Sequence, residues 1–113
     1  MPTVVVARVE ALRPRIGHQV TIGGRYYAIW LLDDGSVRVL DNECCHVGGP
    51  LVDGAIKDGC VICPWHGWTY DLQTGERQTS FGPMEGVRTY PAWVDGDVVV
   101  AELPAEVLGD SGS

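Results

Sequence analysis

Two short pairs of metal-binding residues, each set among glycine and proline, constrain this chain more than any other feature. The first is Cys44-Cys45-His46, followed by Val47-Gly48-Gly49-Pro50. The second is Cys63-Pro64-Trp65-His66-Gly67, followed by Trp68-Thr69-Tyr70. Each pair offers one thiolate and one imidazole, as Cys-x-His and Cys-x-x-His, and sixteen residues separate His46 from Cys63. The chain holds four Cys and three His, so four of these seven residues fall into one pattern. Gly and Pro mark the surroundings as loops. The fold must then bring two loops distant in sequence to one place.

Two centres use two Cys and two His. Tetrahedral zinc accepts mixed sulfur and nitrogen ligands, but its usual finger order is two Cys followed by two His. A [2Fe–2S] centre with two Cys on one iron and two His on the other explains the alternation, because each loop sends one ligand to each iron. The motif Cys-x-His, sixteen residues, Cys-Pro-Trp-His-Gly resembles the Rieske family. The resemblance runs from about residue 25 to 100. It includes Gly48-Gly49-Pro50-Leu51 and Gly54 in the first loop, and Thr69 to Glu76 after the second.

That resemblance implies one Rieske-type [2Fe–2S] cluster held by Cys44, His46, Cys63 and His66. Around it stand Gly48, Gly49 and Gly67, which let the backbone come close, together with Trp65, Tyr70 and Pro83. In the family, Cys ligate the inner iron and His the outer iron at the solvent-facing tip. Two thiolates leave the oxidised centre formally neutral, and neither ligand loop carries Lys or Arg. High-potential relatives in cytochrome bc-type complexes carry a loop-to-loop disulfide and a sulfide-binding Ser. Here those positions look like Gly49, Trp65 and Trp68, while the Tyr that bonds a ligand thiolate looks retained as Tyr70. Cys45 and Cys60 lie off the disulfide positions. Two free thiols or a Cys45–Cys60 bridge are both open, with Cys60 most simply a small buried apolar residue. His18 reads as an ordinary histidine.

A chain of 113 residues, 45% hydrophobic, suits one domain with its own core. Fifteen Gly and seven Pro suit an all-β protein with many turns. The net charge of −7 leaves no basic stripe for phosphates, which argues against nucleic acid. The amino terminus shows neither a signal peptide nor a membrane span, so a cytoplasmic protein off the membrane is expected.

The expected fold is a small antiparallel β-sandwich or barrel with an inserted two-loop cluster-binding part. It spans residues 1–104, with the cluster-binding part at about 41–83 and a loose tail at 105–113. Val4 to Val9 should be a strand, followed by a helical turn that Pro14 stops. Gln19–Ile22 and Arg25–Leu32 should pair about Gly23-Gly24, a two-residue hairpin signal. Tyr27, Ile29 and Leu31 alternate with Tyr26, Ala28 and Trp30, so both faces are apolar and the strand should be central. Asp33 to Ser36 turns into a half-exposed strand ending at Leu40. Cys60-Val61-Ile62 and Trp68–Leu72 should be strands, the first after a turn at Lys57-Asp58-Gly59. Ser80 to Met84 should be an irregular loop, resembling the proline-bearing loop that covers the cluster in Rieske domains. Val87–Val94 and Val98–Glu102 should form a last hairpin around Asp95-Gly96-Asp97.

The resemblance implies a one-electron carrier taking electrons from a flavin-dependent ferredoxin reductase to a terminal ring-hydroxylating oxygenase. The other reading is a small Rieske subunit of a larger oxidoreductase such as a nitrite reductase. With histidines at 18, 46 and 66 alone, the chain has no facial set of two His and a carboxylate for a mononuclear iron. An electron carrier rather than an enzyme is therefore expected.

Overall fold

Strand β3 (Arg25–Leu31) organises the molecule because both of its faces are buried. The computed structural model describes residues 2–42, 51–64 and 67–104. β3 lies between β2 (His18–Ile22) and β4 (Val37–Asp41), and β4 also pairs with β10 (Thr89–Tyr90). All pairs in this four-stranded sheet are antiparallel. The β2–β3 turn places Gly23 at φ 59° and Gly24 at φ 77°, the positive pair that a tight right-twisted hairpin demands.

Side chains alternate along β3, as strand geometry requires. Tyr27 and Ile29 face one way and join Val39, Tyr90, Val99 and Leu103 in the larger core. That core is closed by a three-stranded antiparallel sheet of β1 (Thr3–Arg8), β12 (Val98–Glu102) and β11 (Ala92–Asp95). Ala28 and Trp30 face the other way and meet Leu40, Leu51, Val61, Cys63, Tyr70 and Leu72. This second core supports a five-stranded antiparallel sheet. Its order is β5 (Ala55–Lys57), β6 (Cys60–Ile62), β7 (Thr69–Asp71), β8 (Arg77–Thr79) and β9 (Gly82–Met84). One strand thus joins two cores back to back. The all-β antiparallel architecture is the expected one.

Four local expectations are corrected. Ser80 to Met84 is not irregular: β9 pairs with β8, and Pro83 sits opposite Gln78. Proline is tolerated there because β9 is the sheet edge, where its missing N–H interrupts no inner ladder. The run Val87–Val94 is not one strand. β10 pairs with β4, and after Pro91 the chain crosses to pair β11 with β12. The face of β4 that carries Arg38 also carries Leu40, fully buried in the second core, so no residue of β4 is exposed and only Arg38 and Asp41 are half-buried. Cys60 is half-buried rather than buried, and its thiol is free. The tail beyond Pro104 lies outside the described residues.

Candidate metal centre

The second ligand loop grows from the β6–β7 hairpin. Ile62 pairs with Thr69, and beyond that pair the Cys63 N–H donates to the Trp68 carbonyl at 2.7 Å. The Gly67 N–H returns to the Cys63 carbonyl at 2.9 Å, closing a five-residue turn. Gly67 sits at φ 70°, a left-handed conformation that glycine adopts at little cost. The Cys63 side chain is buried, 1% exposed, beside Tyr70 and Leu51 in the second core.

The first ligand loop is fastened at both feet by Asn42, a buried polar residue at 5% exposure. Its Oδ1 accepts the Val52 N–H at 2.8 Å, and its Nδ2 donates to Gln19 Oε1 at 2.6 Å. Asn42 precedes the loop and Val52 follows it, so one side chain closes the whole segment. Close packing then fixes the exit. A Cβ on Gly54 would lie 2.5 Å from the Ile62 carbonyl oxygen, and one on Gly17 would overlap that of Val52. The loop's exit is thereby held against β6, the strand that delivers Cys63.

Several expected site residues lie outside the described residues: Cys44, His46, Gly48, Gly49, Trp65 and His66. Of the others, Cys63 and Tyr70 share the second core, Gly67 is exposed in the turn beyond the β6–β7 pair, and Pro83 is exposed on the edge strand. A fixed scaffold therefore brings the feet of the two loops together. A buried thiol at a glycine-relaxed turn, with the described foot of a second loop whose sequence carries Cys and His held against the same strand, fits a mixed sulfur–nitrogen metal centre.

Sequence reasoning missed two neighbours of this site. Asn42 carries no periodic signal, since one Asn after a strand usually reads as a turn residue. Arg77 lies nine positions beyond Trp68, yet its guanidinium carbon stands 3.6 Å from the centroid of the Trp68 ring. Strand pairing alone creates that contact.

The Rieske [2Fe-2S] domain model matches residues 2–91 of this chain. The chain belongs to the Rieske family. Its cofactor is accordingly a Rieske-type [2Fe–2S] cluster, the group the family holds on two Cys and two His. Among curated relatives, this Rieske chain is 46% identical over 55 residues to aminopyrrolnitrin oxygenase PrnD of Pseudomonas fluorescens, covering 49% of this chain and 15% of that protein. It is 40% identical over 70 residues to oxidoreductase NdmD of Pseudomonas putida, covering 62% and 12%. The chain thus spans less than a sixth of the length of either relative. Among solved structures, the ferredoxin of carbazole 1,9a-dioxygenase from Nocardioides aromaticivorans superposes with a TM-score of 0.77 at 26% identity, covering 89% of this chain and 97% of that one. A Mycobacterium tuberculosis chain assigned as the small subunit of an NADH-dependent nitrite reductase gives 0.79 at 25%, covering 91% and 96%. Dicamba monooxygenase gives 0.80 at 26%, but this Rieske chain covers only 36% of it.

No helix among the described residues is long and apolar enough to cross a membrane.

Proposed function

We propose that Cys44, His46, Cys63 and His66 hold the cluster, and that the chain carries one electron from a flavin-dependent ferredoxin reductase to a terminal oxygenase. When bound, the cluster supplies a one-electron couple. The chain's own part is to bury Cys63 and fix both loop feet. Residues 1–104 act as one unit in this reading, with the cluster-binding part at about 41–83 and the tail 105–113 outside it.

The observation that carries the reading is the near end-to-end match to a ferredoxin of a dioxygenase system, 97% of that chain. The match to a nitrite reductase small subunit, at 96% of its length, favours a second reading as a permanent subunit of a larger oxidoreductase. Purified protein should hold about two irons and two sulfides and show the rhombic reduced-state spectrum of mixed His/Cys ligation. It should be reduced by NADH through a flavin reductase, stay separate from that reductase on size exclusion, and be reoxidised by an oxygenase component. A colourless protein with one zinc would overturn the iron–sulfur assignment. A stable stoichiometric complex with a nitrite reductase large subunit would favour the second reading.

A further inference from the structure

Strand register puts a cation beside the second ligand loop. Tyr70 pairs with Val61 on β6 and with Arg77 on β8. Residues directly opposite in an antiparallel pair share a face, and positions two apart in one strand share it too. Cys63, Val61, Tyr70, Trp68 and Arg77 therefore lie on one face of the five-stranded sheet. Arg77 is diagonal to Trp68, a separation that long side chains span. Its guanidinium stacks on the indole at 3.6 Å, a cation–π contact.

The backbone under Arg77 is pinned. Asp71 Oδ1 accepts the N–H groups of Gln73 and Thr74, at 2.7 and 3.1 Å. The Asp71 N–H reaches the Glu76 carbonyl at 2.9 Å, and the Gly75 carbonyl accepts the Val87 N–H at 2.9 Å. A Cβ on Gly86 would overlap the Gly75 carbonyl and come within 2.9 Å of the Arg77 nitrogen. Among the described residues Arg77 has no carboxylate partner within ion-pair distance. Among those residues no ion pair offsets its charge, in a chain of net charge −7.

We propose that Arg77 is a positioning and tuning residue of the cluster site. Stacked on Trp68, its guanidinium holds a fixed positive charge beside the Cys63 loop and favours the reduced centre, which carries one more negative charge than the oxidised one. This rests on the cluster assignment above. It supplies in tertiary structure the counter-charge that neither ligand loop carries in sequence.

The test is the reduction potential by protein-film voltammetry of wild type, Arg77→Gln and Arg77→Lys, at low and high salt. Arg77→Gln is expected to lower the equilibrium constant for one-electron reduction about threefold, roughly 30 mV at 59 mV per tenfold change. Arg77→Lys, which keeps the charge, is expected to retain most of the wild-type value. The wild-type-to-Gln gap should shrink at high salt, because a half-exposed charge is screened. An unchanged potential in Arg77→Gln overturns the inference and leaves the cluster assignment intact. A fall in Arg77→Lys equal to that in Arg77→Gln also overturns it, since packing rather than charge would then be responsible. A wild-type protein without the mixed His/Cys signature removes both readings.

Discussion

Replacing Asn42 by Ala should loosen the first ligand loop, and the structure gives the size of the effect. The substitution deletes an acceptor for the Val52 N–H and a donor to Gln19 Oε1. Gln19 is exposed, so its amide turns to water at little cost. Val52 is half-buried and packed against the second core, so its N–H loses its partner where water reaches it poorly. A stranded buried donor costs about 1–3 kcal/mol. For a domain of this size each kcal/mol lowers the melting temperature by about 4–8 °C, so Asn42→Ala should melt roughly 5–20 °C below wild type. Circular dichroism on the cluster-loaded protein measures this. Gln19→Ala strands the Nδ2 donor of the buried Asn42 and should also lower the transition, by up to roughly 20 °C, but it leaves the Asn42–Val52 tie in place and should not change iron retention. Iron content after dialysis against a chelator should fall faster in Asn42→Ala, because the two feet of the loop are no longer tied. A melting temperature within about 2 °C of wild type, with unchanged iron retention, would refute the idea that this side chain closes the loop.

Three further outcomes are expected. Cys44→Ser and His66→Ala should each abolish the cluster's colour while Cys60→Ser keeps it; loss of colour in Cys60→Ser would mean that the ligand set is wrong. The Cys60 thiol is pushed up by burial, then by Asp71 opposite it on β7 and by Asp58, so it stays protonated past the ordinary thiol range. In a Cys45→Ser background its alkylation by iodoacetamide should be slow at pH 8 and still rising above pH 9, and Asp71→Asn, which keeps an Oδ1 acceptor for the turn, should accelerate it. Tyr90 is buried and donates to Asp41 Oδ1 at 2.7 Å, and burial, then that bond and the Asp41 charge, raise its pKa well above the usual tyrosine value. Because the folded value is the higher one, this contribution to stability is present below about pH 10 and is lost as pH rises beyond it. Phenolate absorbance should show a tyrosine that ionises only as the fold is lost, and Tyr90→Phe should remove that component.

The strands and tight turns of this fold were legible wherever the deciding physics is local. Alternation along Tyr27, Ala28, Ile29 and Trp30 marks a strand buried on both faces whatever covers it. Gly23-Gly24 and Asp58-Gly59 mark hairpins because both central residues must take positive φ, and they do. The two Cys/His pairs announce a metal centre because those side chains at those offsets have few other uses. Partner choice was decided only in three dimensions. Pro91 reads as one residue in a strand-like run, but the chain changes sheets there, since β4 and β12 compete for its two sides. Pro83 looked incompatible with a strand until the sheet made β9 an edge. Asn42 and Arg77 are ordinary polar residues in sequence. One becomes the tie across a ligand loop and the other the cation on Trp68 because packing two cores against β3 sets which distant backbone and ring they meet. A one-dimensional pattern encodes the period of a strand and the φ of a turn, whereas contacts across strands depend on register and on the partner strand, which only the packed whole selects.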